Sequence, residues 1–193
     1  CMEKLRAFHE KNIHTSYTFD LYRMLDYYQS LWIRKKSMYA DYDEVKNRIY
    51  NWKPWIEKVN KEHWTLTHMD AVPDNFIITD KQEVVLIDWE YAGMSDPLLD
   101  IAMGAIYSYM DFQEAKNLLE DYLLAAEEET VEPLLLHGRT KEELEKLLIA
   151  YMGLSGLLWS LWCAYKMRKG QEFGEYSLKM LRYFKEAKEA LEL

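Results

Sequence analysis

The sequence predicts a mostly α fold (α+β) with one small β-hairpin set into it. Three observations predict it: apolar residues at helical spacing before residue 64, short β-rich runs confined to Trp64–Trp89, and helical patterning again from Ser95 onward. With 193 residues, 49% of them hydrophobic, the chain can bury one substantial core, and a single domain over 1–193 is the expectation.

The elements follow in order. Phe19, Tyr22, Leu25 and Leu31 recur at helical spacing, as do Val45, Ile49 and Trp52, so residues 1–63 are expected to form two or three packed helices. Thr65-Leu-Thr, Phe76-Ile-Ile-Thr and Val84-Val-Leu-Ile read as strands inside a segment of 64–92, the last two paired about a turn at Asp80–Glu83. Residues 93–193 are expected to be helical. Ser95 is an N-cap candidate with Pro97 in the first turn. Thr140 with Glu143 forms the pattern of a capping box, and a last helix is expected over Glu175–Leu191. Leu147 to Tyr165 is nineteen residues without a charge, long enough to test as a membrane span. It contains Gly153, Ser155, Gly156 and Ser160 and continues a charged start, Thr140–Lys146, so a buried helix without membrane insertion is the reading.

Charge and cysteines exclude several classes. Lys+Arg of 24 against Asp+Glu of 33 leaves a net charge of −9, spread along the chain, which argues against a nucleic-acid partner. Cys1 and Cys163 provide neither a disulfide framework nor a zinc cluster, and the opening residues have no signal-peptide core, so a cytoplasmic location is expected.

The chemistry concentrates in His68-Met-Asp70-Ala-Val-Pro-Asp-Asn75 and, past the hairpin, Ile87-Asp88-Trp-Glu90-Tyr91. Phosphoryl transfer from ATP needs a carboxylate to take the proton of the attacking hydroxyl and oxygen ligands for magnesium. Asp70 suits the first task, and Asn75 and Asp88 the second. Residues 75 and 88 are equidistant from the centre of the expected turn and so become cross-strand neighbours, roughly 5 Å apart. Magnesium takes only one or two protein oxygens, as such a pair would supply. Each residue singly also fits an ordinary loop; the ordered combination is what points to a site.

This arrangement resembles the protein-kinase-like fold, whose His-x-Asp-(four residues)-Asn loop precedes a metal-binding Asp. The lack of Arg between His68 and Asp70, Pro73 ahead of Asn75, and Asp96-Pro97 with Asp100-Ile101-Ala102 look like the choline/ethanolamine kinase and aminoglycoside phosphotransferase group, with bacterial Lic-type choline kinases a near match. The resemblance implies the C-terminal lobe of that fold, with Asp70 as catalytic base, His68 bracing the loop, Asn75 and Asp88 holding magnesium, and Asp100 as structural support. It implies ATP as co-substrate and a small cationic amino-alcohol as acceptor.

Trp159-x-x-Trp162 followed by Glu172-Phe173-Gly174-Glu175-Tyr176 is similar to the segment that walls the choline pocket in those kinases. A quaternary ammonium has no hydrogen to donate and is best held by aromatic faces. Aromatics at helical spacing can equally be core, and the two roles remain open for Trp159, Trp162, Phe173 and Tyr176. An acid that the family places about two turns after the counterpart of Asp100 is replaced here by Tyr107, leaving Glu90 or Asp111 as counter-charge candidates. No Gly-rich loop or paired Lys strand precedes Asp70, so the N-terminal ATP-clamping lobe is expected to be absent from the chain. The expected activity is choline phosphorylation. Ethanolamine, thiamine or an aminoglycoside are alternative acceptors, and a non-catalytic ligand-binding or scaffold module is the alternative of another class.

Overall fold

The computed structural model describes residues 1–31, 41–59, 61–125, 133–136 and 138–191, with the side chains of residues 42, 43, 46 and 49 outside that description. Ile49 of the expected second helix is among these. The chain divides into two compact units, Cys1–Phe19 with Asn60–Tyr151, and Asp20–Val59 with Met152–Leu193. Each unit is therefore built from two separate stretches of sequence. The fold is mostly helical with small antiparallel sheets, as the patterning predicts.

In the first unit, α1 (Met2–His9) buries Leu5, Arg6 and His9 on one face. It packs on α5 (Phe112–Leu124) and on strand β1 (Thr65–Thr67). Arg6 Nη1 donates to the Leu123 carbonyl at 2.7 Å, satisfying an orphan acceptor at the end of α5. β1 pairs antiparallel with β4 (Gly93–Ser95), register Thr65↔Ser95 and Thr67↔Gly93. Between them in sequence, β2 (Phe76–Ile78) and β3 (Val84–Leu86) form a separate hairpin. α4 (Leu98–Tyr107) is apolar on every face apart from Asp100 and is buried from Leu98 to Ile106, as an interior helix is. Its Gly104 lets the catalytic loop approach, since a Cβ there would stand 3.1 Å from the Ala71 carbonyl.

Two sequence expectations are corrected here. β4 lies outside the stretch read as sheet. Gly-Met-Ser has little strand propensity, and its strand exists because the Thr65–Thr67 backbone pairs with it on one side and Tyr17 and Phe19 bond to Met94 on the other. For the same reason Ser95 is no N-cap: it ends β4, and Asp96 Oδ1 accepts the Leu98 N–H at 3.0 Å instead.

In the second unit, α2 (Leu21–Ser30) starts at Asp20, whose side chain accepts from the Arg23 N–H. α3 (Tyr42–Ile56) buries Trp52 against Phe184, ring centroids 5.2 Å apart. Helix α6 (Lys141–Met167) gives its residues to Tyr151 to the first unit and those from Met152 to the second. Thr140 and Glu143 cap it reciprocally, Thr140 N–H to Glu143 Oε2 at 2.8 Å and Glu143 N–H to Thr140 Oγ1 at 3.2 Å, which is the capping box read from the sequence. The apolar stretch of α6 meets the length of a membrane span but is 89% buried within the protein. Gly156 has no room for a side chain against α7 (Tyr176–Leu191), since a Cβ there would clash with the Met180 carbonyl oxygen.

Candidate active site

The catalytic loop leaves β1 at Thr67 and turns sharply. Met69 takes a left-handed backbone, φ 66°, which is costly for a bulky side chain and survives only where neighbours fix it. Asp100, at 0% exposure on α4, provides that restraint: its carboxylate accepts the His68 N–H at 2.8 Å and the Met69 N–H at 2.6 Å. Past Asp70 the chain closes a turn, Val72 N–H to Asp70 carbonyl, and a short 3-10 segment Pro73–Asn75 begins at the proline. Asn75 then reaches back. Its Nδ2 donates to the Asp70 backbone carbonyl at 2.8 Å and to the Asp70 carboxylate at 2.9 Å.

The hairpin places Asp88. β2 and β3 pair with register Phe76↔Leu86 and Ile78↔Val84, and Ile87 N–H bonds to the Asn75 carbonyl at 3.0 Å. Asn75 therefore faces Ile87, and Asp88 follows one residue later; the directly opposed pair expected from the sequence is off by one. The loop is the reason. Thr79 N–H bonds Glu83 carbonyl, and Gln82, at φ 61°, absorbs the turn, so the ladder runs on to the pair Thr79 and Glu83 and closes over Asp80–Gln82 rather than over Asp80–Glu83. Asp88 is itself left-handed, φ 64°, a conformation Asp tolerates better than most residues.

His68 ties loop and strand together. Its Nε2 donates to the Ile87 carbonyl at 2.8 Å, and the Asp70 N–H approaches Nδ1 at 3.3 Å, so both ring nitrogens have a partner. The Trp89 ring meets His68 edge to face at 4.6 Å, with Phe8 against its other contact at 4.8 Å. Burial raises the Asp70 carboxyl above its ordinary range; the Asn75 hydrogen bond and His68 oppose the rise, and the charges of Asp88 and Glu90 add to it. Tyr91 is raised too, first by burial and then by Glu90 and Asp70, so its phenol keeps its proton.

The donor set fits magnesium. Asn75 spends its Nδ2 on Asp70, and among the described residues no hydrogen bond occupies its Oδ1. Asp88 is exposed and follows Ile87, the residue that faces Asn75 across the ladder. Among the described residues no group of three or more His, Cys, Asp or Glu side chains forms a metal cage, so a cation held here would keep water or phosphate oxygens, as magnesium does.

The aromatic residues belong to the second unit. Trp159 and Trp162 meet edge to face at 5.5 Å, and Trp162 meets Phe173 likewise at 5.3 Å. All three are half-buried, which leaves ring area open. Lys166 Nζ sits 5.1 Å from the Trp162 centroid, so this ring face already accepts a cation. Tyr176 opens α7, its N–H bonded to the Phe173 carbonyl at 3.0 Å. Glu90 lies in the first unit, exposed in the turn after Asp88. Asp111, also in the first unit, caps α5 and forms a reciprocal box with Glu114.

The sequence reading missed His9 and Tyr122, which stand behind Asp100, and gave Trp89 no role. His9 Nε2 lies 3.0 Å from Asp100 Oδ2 and Nδ1 2.8 Å from the Tyr122 hydroxyl. Partners 91 and 113 residues apart leave no local pattern. Trp89 was visible in the motif itself, where a large aromatic directly follows Asp88.

A catalytic loop braced from a buried helix and followed by a hairpin ending in Asp defines a phosphotransferase of the kinase-like type. Residues 3–137 match the phosphotransferase enzyme family, and the chain belongs to it. It is 33% identical over 165 residues to the protein LicA of Haemophilus influenzae, covering 84% of this chain and 57% of that protein. A solved LicA in complex with AMP matches with a TM-score of 0.81 at 25% identity, over 98% of this chain and 61% of that one. The choline kinase LicA from Streptococcus pneumoniae matches at 0.74 and 26%, over 99% and 63%. The kinase-like fold and the resemblance to choline/ethanolamine kinases read from the sequence are borne out by these relatives. The chain spans about three-fifths of the length of each.

Proposed function

We propose that the chain is a catalytic lobe, residues 1–193, of a kinase that transfers phosphate from ATP to the hydroxyl of choline. The observation that carries this reading is the Asp70 carboxylate, half-buried, held by Asn75 Nδ2 at 2.9 Å in a loop whose amides are fixed by Asp100. In that place Asp70 accepts the proton of the attacking hydroxyl, and its raised pKa brings its basicity nearer to the working pH. Asn75 fixes the carboxylate's rotamer. Asn75 and Asp88 would hold magnesium, whose charge would offset that on the transferring phosphate. Gly93 is the first glycine of the chain, so residues 1–92 offer no Gly-rich phosphate clamp, and on this reading the clamp comes from elsewhere in the protein.

Choline is favoured over an aminoglycoside by the half-buried Trp159, Trp162 and Phe173, which suit a desolvated quaternary ammonium rather than a polyamine needing carboxylates. The test is phosphate transfer from ATP by the full-length protein, with choline, ethanolamine, thiamine and kanamycin offered in turn. Choline is expected to have the highest kcat/KM, and Asp70→Asn to lose about 10²–10⁴ of it while the fold persists. Transfer to none of the four, or turnover of Asp70→Asn near that of the native protein, would reject the assignment.

A further inference from the structure

Helices α4 and α6 end with the same hydrogen bonds but with different residues at the turn. At the end of α6 the Gly170 N–H bonds to the Met167 carbonyl at 3.0 Å and the Gln171 N–H to the Lys166 carbonyl at 3.3 Å, with Gly170 left-handed at φ 87°. At the end of α4 the Tyr109 N–H bonds to the Ile106 carbonyl at 3.2 Å and the Met110 N–H to the Ala105 carbonyl at 3.0 Å, with Tyr109 left-handed at φ 56°. Glycine is the ordinary occupant of the left-handed position in this closure, because a Cβ there crowds the following carbonyl. Tyr109 thus stands in a glycine position. Burial does not explain its ring, which is 52% exposed, whereas Met69, the other large apolar side chain on such a backbone among the described residues, is 1% exposed. A strained backbone kept for an exposed aromatic ring points to a task for that ring.

The place of the turn in the fold says which task. α4 is the helix on which the catalytic loop lies: Asp100 accepts the His68 and Met69 amides, and Gly104, four residues on, leaves room for the Ala71 carbonyl. The same helix face comes round again at Ser108, and Tyr109 follows it. Tyr109 is five residues beyond Gly104, a rise of about 7.5 Å along the helix from its contact with Ala71, the neighbour of Asp70. A tyrosine side chain and a short amino-alcohol together bridge that distance. Asp111, exposed two residues further on, adds a carboxylate to the same turn. We propose that Tyr109 is an acceptor-recognition residue: its ring offers an aromatic face to the quaternary ammonium of the acceptor, and the left-handed cap of α4 is kept to display it. A quaternary ammonium is held by such a face without any hydrogen bond. The inference rests on the choline reading above and does not depend on the roles of Trp159 and Trp162.

The test compares Tyr109→Gly, Tyr109→Asn and Tyr109→Phe in the full-length protein by thermal melting, by calorimetric titration with choline and tetramethylammonium, and by steady-state transfer from ATP to choline. Glycine and asparagine both suit the left-handed cap, so these variants should melt at or above the native temperature, Tyr109→Gly higher by about 2–4 °C. Both should lose about five- to tenfold in affinity for choline and tetramethylammonium and in kcat/KM for choline, with the KM for ATP within about twofold. Tyr109→Phe keeps the aromatic face and should stay within about twofold of native affinity. Higher stability together with weaker amine binding is a combination that a merely structural tyrosine does not produce. Native amine affinity in Tyr109→Gly and Tyr109→Asn would overturn the proposal. So would a lowered melting temperature with parallel losses for choline and ATP, which would make Tyr109 a packing residue. A Tyr109→Phe as impaired as Tyr109→Gly would overturn it too, by assigning the effect to the hydroxyl. If the native protein binds both amines through Tyr109 but transfers no phosphate to choline, the kinase reading fails and this inference stands; if it binds neither amine, this inference fails whatever the transfer assay shows.

Discussion

His68 Nε2 donates to the Ile87 carbonyl at 2.8 Å, so a single side chain joins the loop that carries Asp70 to the strand end that precedes Asp88. On the proposed reading, in which Asp70 accepts the proton and Asp88 faces the metal, the two carboxylates are therefore not independent. Replacing His68 by Phe keeps the ring beside Trp89 but removes a part-buried hydrogen bond to the Ile87 carbonyl, a loss of about 1 kcal/mol. The expected result is a kcat lowered by about tenfold or more with little change in the KM for choline. A proportional rise in KM instead would show that His68 serves binding rather than placement.

Asn75 and Asp88 should reveal themselves in magnesium titrations. Asn75→Ala and Asp88→Ala each remove one of the two oxygen ligands proposed for magnesium and are expected to raise the magnesium concentration for half-maximal rate by about tenfold. Asn75→Ala should also lower the maximal rate, because it releases the Asp70 carboxylate as well. Asp74→Ala, an exposed residue in the same 3-10 turn, is the control and should follow the native titration. Coincident titrations for all three variants would remove the metal from this position.

Much of this geometry was readable because it is local. The catalytic spacing from His68 to Asn75, the paired apolar runs of the hairpin and the Thr140–Glu143 box all lie within a few residues of their partners, where periodicity and capping chemistry carry information. The one-residue register difference came from loop closure, since nothing in Asp80-Lys-Gln-Glu announces that Gln82 will take φ 61°. β4 was invisible because Gly93-Met-Ser95 is a strand only by virtue of two neighbours brought from residues 17–19 and 65–67. The Tyr122–His9–Asp100 chain was hidden for the same reason: it is assembled by α1, α4 and α5 packing together, and no single segment encodes it.

Cys163 offers a check on α6 that does not involve activity. Burial at 0% exposure pushes its thiol up to about 12, whereas Cys1 is exposed. A thiol reacts as the thiolate, and at pH 8 a group with that pKa is ionised in only about one part in ten thousand, against roughly a quarter for an ordinary cysteine. Ellman's reagent at pH 8 should therefore titrate one thiol rapidly in the native 193-residue chain and two after denaturation. Because the shift is upward, raising the pH toward 9 should not expose Cys163 by ionisation alone. Two rapid thiols in native conditions would mean that the packing around residue 163 is wrong.

The aromatic cluster makes a prediction that separates pocket from core. Trp162 is edge to face with both Trp159 and Phe173, and Lys166 already rests its ammonium 5.1 Å from the ring centroid. A face that attracts a tethered lysine also attracts a free quaternary ammonium, and the free ligand gains more because its methyl groups are desolvated against the ring. Trp162→Leu keeps an apolar side chain on the helix while removing the π face. The loss of a desolvated cation–π contact is about 2 kcal/mol, so choline affinity should fall roughly thirtyfold with ATP affinity unchanged. Trp159→Leu should give a similar pattern, whereas Lys166→Met removes the competing cation and should leave choline binding equal or tighter. Calorimetric titration of the full-length protein with each ligand measures all of these. Parallel losses for choline and ATP, accompanied by a lower melting temperature, would identify Trp162 as a core residue and move the amine site elsewhere.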